Sequence, residues 1–259
     1  MRLSTSSIHF KELPVEEAVA RIAGLGFEAV DIWSAHEACP HLDDVVDRLG
    51  PEELKALLDR HKIGLFAFSV YRGGYERYAE LLGRAGGGVA VRGSAGPCPP
   101  AELQSRTRQF MERLKPLIDL AEQHDSLLAI ENHGNALLDS LDSLRAFVDL
   151  NTSARLGIAL APYHLQASGA SVTEAIRICG KQLFFFYAWQ HEPGVKQLPG
   201  VGATDMTPWL RALADVGYRG CVNPFMHGHP GVDVMTTNLA TARYYLKDCY
   251  GRAVTARQA

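Results

Sequence analysis

The sequence predicts an α/β fold, a single (β/α)8 TIM barrel formed by one domain over residues 1–259. Three observations carry that prediction. Eight short β-prone runs alternate with eight amphipathic stretches along the whole chain. No linker or low-complexity tract interrupts the alternation. The length, 259 residues, is one that α/β barrels reach as a single domain.

The elements follow in order. A β-prone run at 2–6 precedes an amphipathic helix at 14–24, which Gly26 stops. A-V-D-I-W at 29–33 leads to a helix at 51–61, where Pro51-Glu52-Glu53 supplies a proline and two acids to the first turn. Gly50 marks the stop just before it. G-L-F-A-F-S-V at 64–70 is followed by a helix at 74–85. The fourth strand, G-V-A-V-R at 88–92, is short and glycine-flanked, and the helix after it runs over 102–124. L-L-A-I-E at 127–131 and L-G-I-A-L at 156–160 are each followed by a helix, at 139–149 and at 171–179, the latter ending at Gly180. L-F-F-F-Y-A-W at 183–189 precedes a helix over 206–217, opened by Thr207-Pro208 and closed by Gly217. The last pair is a strand at 220–225 and a helix near 235–248. No G-x-G-x-x-G or GxxxxGK[ST] follows the first strand, which removes the dinucleotide and P-loop readings.

Composition excludes several functions. Lys and Arg number 26 against 29 Asp and Glu, a net charge of −3, and no basic tract interleaved with aromatics suggests a nucleic-acid partner. The five cysteines are scattered without a CxxC pair, as reduced thiols would be. M-R-L-S-T-S-S-I-H-F lacks the apolar centre of a signal peptide, and no run has the length of a membrane span. The expectation is a cytoplasmic protein with a small-molecule substrate and neither nucleic acid nor membrane as a partner; a homo-oligomer is left open.

In this fold, chemistry sits at the C-terminal ends of the strands. The fifth strand ends in Glu131, Asn132 and His133, three side chains costly to bury without partners. Glu131 and His133 are two residues apart and can both point inward. Strand two ends in Trp33 with His36 beyond, strand three in Tyr71-Arg72, and strand six runs into Tyr163-His164. Strand seven runs into Trp189-Gln190-His191, and His227 and His229 follow strand eight. Six of the ten histidines therefore fall in loops on one face, which points to a site. Trp33, Phe66 and Phe68 read first as barrel core or wall, and Arg72 and Arg92 as rim salt bridges.

L-A-I-E-N-H-G at 128–134, with Leu198-Pro199-Gly200-Val201-Gly202 and W-L-R-A-L-A-D-V-G-Y-R-G after it, resembles the xylose isomerase-like TIM-barrel family of sugar isomerases and epimerases. The resemblance covers nearly the whole chain. It implies a divalent metal held by Glu, Asp, His and Glu on strands five to eight, with two glutamates exchanging a substrate proton. Only Glu131 carries over. The other positions fall on Ala161, Tyr187 and Phe225, which are poor or impossible ligands. His164, three residues past Ala161, matches a substrate-contacting histidine. The AP endonucleases share the fold, but their larger ligand set and basic groove are missing here.

The expectation is therefore a sugar, polyol or keto-compound isomerase or epimerase that transfers protons without the family's metal or any other cofactor. Glu131, His164 and His227 are the expected catalytic groups, Glu131 as base and the histidines as acids. Asn132, His133, Tyr187, Trp189, Gln190, His191, Trp33 and Arg72 are the expected substrate contacts. The alternatives are a non-catalytic carbohydrate-binding relative or subunit of a complex, a dehydratase or other lyase, and a rebuilt site in which Glu131, His164 and His227 hold a divalent transition metal.

Overall fold

A computed structural model describes residues 1–35 and 38–255. Its strands are β1 Arg2–Ser6, β2 Ala29–Ser34, β3 Gly64–Val70, β4 Val89–Gly93, β5 Leu127–Glu131, β6 Leu156–Leu160, β7 Leu183–Ala188 and β8 Cys221–Pro224. They pair in sequence order, all parallel, and β8 pairs with β1 to close the barrel. The helices are α1 Val15–Gly24, α2 His41–Asp44, α3 Gly50–His61, α4 Ala79–Arg84, α5 Leu103–Gln123, α6 Leu141–Leu150, α7 Pro162–Ala167, α8 Val172–Cys179, α9 Thr207–Asp215 and α10 Val232–Thr255. The expected (β/α)8 TIM barrel is the observed fold. Among the described residues, no helix is long and apolar enough to cross a membrane.

Departures from the sequence reading are local. The helix expected over 74–85 is shortened to α4, with a single 3-10 turn at Tyr75–Arg77 before it. Gly73 and Gly74 both have φ of 75°, outside the right-handed helical region, so the helix cannot begin there. Two short helices were not expected. One is α2, and the other is α7, which Pro162 opens directly after β6. The last helix runs well beyond 235–248 at both ends.

Strand parity divides the core in two. Leu128 and Ile130 of β5 pack outward against the helices, whereas Ala129 faces the barrel interior, as do Ala67, Ala159 and Ala161. Large rings from β3, β7 and the end of β8 fill the space these alanines leave. Phe66 stacks on Phe185 at 5.0 Å, Phe185 meets Tyr187 at 4.5 Å, and Phe225 stacks on Trp33 at 5.2 Å. The interior is thus filled by rings from Phe66 to Trp33 and Phe225, and the same parity carries Glu131 to the interior side at the C-terminal end.

Phe185 lies at the centre of that column and is fully buried. Phe185→Ala should destabilise the chain by about 3–5 kcal/mol, read as a lower midpoint in urea with an unchanged slope.

Candidate functional site

Glu131 is 7% exposed, and its Oε2 accepts a 2.5 Å hydrogen bond from the Tyr71 phenol. Tyr71 follows β3, where its backbone N–H donates to Ser34 O at the end of β2. The Tyr187 hydroxyl lies 3.3 Å from that of Tyr71. Burial raises the Glu131 carboxyl to about 7; the Tyr71 hydrogen bond and the His133 charge oppose that rise without cancelling it. Burial and the adjacent Glu131 carboxylate push the Tyr71 phenol well above its usual range, so it remains a proton donor.

A second acid, Asp31, lies inside the barrel. It is fully buried in the middle of β2. Its carboxylate accepts from Ser6 Oγ at 2.7 Å, Ser69 Oγ at 2.9 Å and Trp33 Nε1 at 2.5 Å. Burial raises it to about 7, against the lowering effect of these three donors; the Glu131 charge adds to the rise. Ser69 is also within hydrogen-bonding reach of Tyr187. Asp31, Ser69, Tyr187, Tyr71 and Glu131 therefore form a polar line through the interior.

Histidines gather beside it. The His133 and His164 rings are 3.9 Å apart, and Tyr163 packs against His164, Trp189 and His191. Trp189 in turn meets His227 at 4.9 Å. His164 Nε2 is buried without a hydrogen-bond partner, an orphan polar atom that a ligand could satisfy. Burial, reinforced by His133, His227 and His191, depresses His164 to about 3. Burial and the His133 charge also lower His227. The expected acid role for these two does not suit that environment, because both rings are held neutral.

His9, passed over in the sequence, is buried after β1 and packs 5.3 Å from His229. Its Nε2 accepts from the Met226 N–H, so Nδ1 carries the proton and donates to Thr5 Oγ1. His36 lies outside the described residues.

Several expected substrate contacts are committed elsewhere. Asn132 is buried, with Nδ2 donating to Ala161 O at 3.2 Å and Oδ1 accepting from Ala161 N at 2.6 Å. It ties the ends of β5 and β6 together. Gln190 spans the following loop, donating to Leu198 O and accepting from Thr204 N. Trp189 donates to Gln197 Oε1 at 2.7 Å, and the same oxygen accepts from His227 N. Trp33 is a wall of the interior, tilted against Tyr71 at 5.0 Å. His133, His191 and Arg72 are exposed at the rim.

Among the described residues, no group of three or more His, Cys, Asp or Glu could hold a metal ion. The rebuilt centre of Glu131, His164 and His227 is therefore not assembled. Ala161 and Phe225 are buried with the interior apolar cluster, and Tyr187 packs among the same rings. That donor set does not fit the divalent ion of the family pattern.

A family described as xylose isomerase-like TIM barrel matches residues 19–233. No curated protein matches the sequence. Solved structures share the fold at low identity. A 3-keto-D-glucoside 4-epimerase from E. coli is 17% identical with a TM-score of 0.73, covering 94% of this chain and 99% of its own. A D-psicose 3-epimerase, crystallised in the presence of D-fructose, is 16% identical with a TM-score of 0.74, covering 97% and 100%. A probable 3-DHS dehydratase from Bacillus anthracis is 17% identical with a TM-score of 0.73, covering 92% and 97%.

Glu131 also marks stability with pH. Between its ordinary value of 4.5 and its folded value of about 7, the folded chain keeps a proton that the unfolded chain has released. Raising pH through that window should remove up to about 3 kcal/mol of stability. Glu131→Gln should lack that loss, so wild type should lose stability relative to the variant in urea unfolding between pH 4.5 and 7.5.

Proposed function

Because the chain belongs to the xylose isomerase-like TIM-barrel family, we propose that it moves a proton on a small sugar, polyol or keto compound. In this reading Glu131 is the base and no divalent metal takes part. The observation that carries the proposal is the buried Glu131 carboxyl, raised to about 7 and hydrogen-bonded at 2.5 Å by a phenol that stays protonated. A base works best when its pKa lies near the working pH.

The chemistry follows from these groups. The Glu131 carboxylate takes the proton from a carbon beside the substrate carbonyl, and the C–H electron pair moves onto the carbonyl oxygen. Without a metal, that oxygen needs hydrogen-bond donors, and Tyr71 and Tyr187 are the nearest to Glu131. His164, neutral and with Nε2 unpartnered, is suited to a substrate hydroxyl. Returning the proton from Glu131 to the former carbonyl carbon, while the hydroxyl on the first carbon gives up its proton and the enolate oxygen gains one, gives isomerisation. Epimerisation instead needs a proton delivered to the opposite face of the first carbon by a second donor, such as solvent, while Glu131 keeps the one it took. Asp31 is fully buried and cannot touch substrate, so it serves as a positioning residue that orients Trp33. Asn132 and Gln190 likewise act through the loops they tie.

Dehydration is the second reading, favoured by the dehydratase among the structural relatives. It begins with the same proton removal and ends with loss of a β-hydroxyl.

The test follows solvent deuterium into a panel of ketoses and 3-keto sugars. Glu131→Gln should lower exchange by roughly 10²-fold or more while ligand binding survives. Tyr71→Phe removes a donor to the carboxylate, so the acidic limb of the rate profile should move to higher pH. A sugar that binds without exchange in wild type would replace this reading with that of a carbohydrate-binding protein.

A further inference from the structure

The N-terminal end of the barrel, opposite Glu131, is not sealed. A cavity of about 570 Å³ opens there among the first residues of β3, β4, β5 and β7 and the loops that enter β7 and β8. That volume falls within the range of about 300–1,000 Å³ typical of small-ligand sites.

Its walls are apolar and fixed. The Phe184 ring lies across Gly157, where an added Cβ would sit only 2.6 Å from Phe184 Cδ2. Tyr218 is pinned by its hydroxyl, which donates to Cys221 O at 2.9 Å. Phe66 and Leu127 also line the cavity. The lining includes Gly180 and Gly217, with positive φ values of 48° and 72° in the two loops that enter β7 and β8. An added Cβ at either would meet nothing within 4 Å.

The rim also carries charge of one sign. Lys181 and Arg219 line the cavity and, among the described residues, no Asp or Glu does. Both cations are exposed, and neither makes an ion pair among the described residues. Elsewhere on the surface Arg48, Arg77, Arg84, Arg145 and Arg155 each reach a carboxylate.

We infer that this cavity is a second ligand site, taking a small amphipathic anion with an aryl or alkyl body and one carboxylate. The body lies among Phe66, Phe184, Leu127 and Tyr218, and the carboxylate meets Lys181 and Arg219 at the opening. The stacked rings of Phe66, Phe185 and Tyr187 separate it from the Glu131 site, so the two ends bind independently.

Calorimetric titration with 2-naphthoate and its neutral analogue 2-naphthalenemethanol tests the assignment. Wild type should bind one naphthoate per chain, more tightly than the alcohol. The double variant Lys181→Glu with Arg219→Glu should weaken naphthoate by about tenfold or more, with the alcohol changed less than twofold. Glu131→Gln should bind naphthoate as wild type does. No saturable naphthoate binding, equal affinity for acid and alcohol, affinity surviving the charge reversal, or loss of binding in Glu131→Gln would each overturn the site.

Discussion

A carboxylate withdrawn from water must be met by donors or give up its charge, because the effective penalty for burying the ion is several kcal/mol. Among the described residues, the buried carboxylates that face that constraint inside this barrel are Asp31 and Glu131, and the interior is arranged around them. Asp31 is met by Ser6, Ser69 and the Trp33 indole. The indole so fixed leans on Tyr71 and stacks on Phe225. Tyr71 in turn donates to Glu131. The position of the accessible acid thus depends on an inaccessible one, through a tryptophan and a tyrosine.

The aromatic mouth has an electrostatic consequence. At the mouth this chain packs Ala161, Tyr187 and Phe225 among other apolar side chains. Such surroundings disfavour charge on every titratable group they touch. They raise Glu131 toward neutrality and hold His164 at about 3. One environment therefore yields a carboxyl half-ionised near pH 7 beside the uncharged His164 ring, as the proposed proton abstraction requires.

Most of the fold was legible because most strands run into polar residues and most helices open or close on proline or glycine, α6 between Ser140 and Asn151 being an exception. Glu131 was legible for the same reason. Asp31 was not picked out because it sits in mid-strand rather than at an end, although parity with Trp33 in A-V-D-I-W places both on one face. The same parity separates Asn132 from Glu131 and Gln190 from Trp189; both amides turn to backbone partners. Their polarity at strand ends had suggested substrate contact. Tyr71 was legible as a polar strand end but not as a partner of Glu131, since that role comes from a glutamate 60 residues away. The neutral state of His164 was equally hidden, being set by burial and by three histidines from other loops.

The titration of Glu131 itself bears most directly on this arrangement. Infrared difference spectroscopy, wild type against Glu131→Gln, isolates the carbonyl stretch of the protonated Glu131 carboxyl as pH is raised. That band should persist past pH 6 and disappear with a midpoint of about 7. A midpoint near the ordinary glutamate value of 4.5 would mean a solvated carboxylate without the environment described above, and would contradict its role as the base.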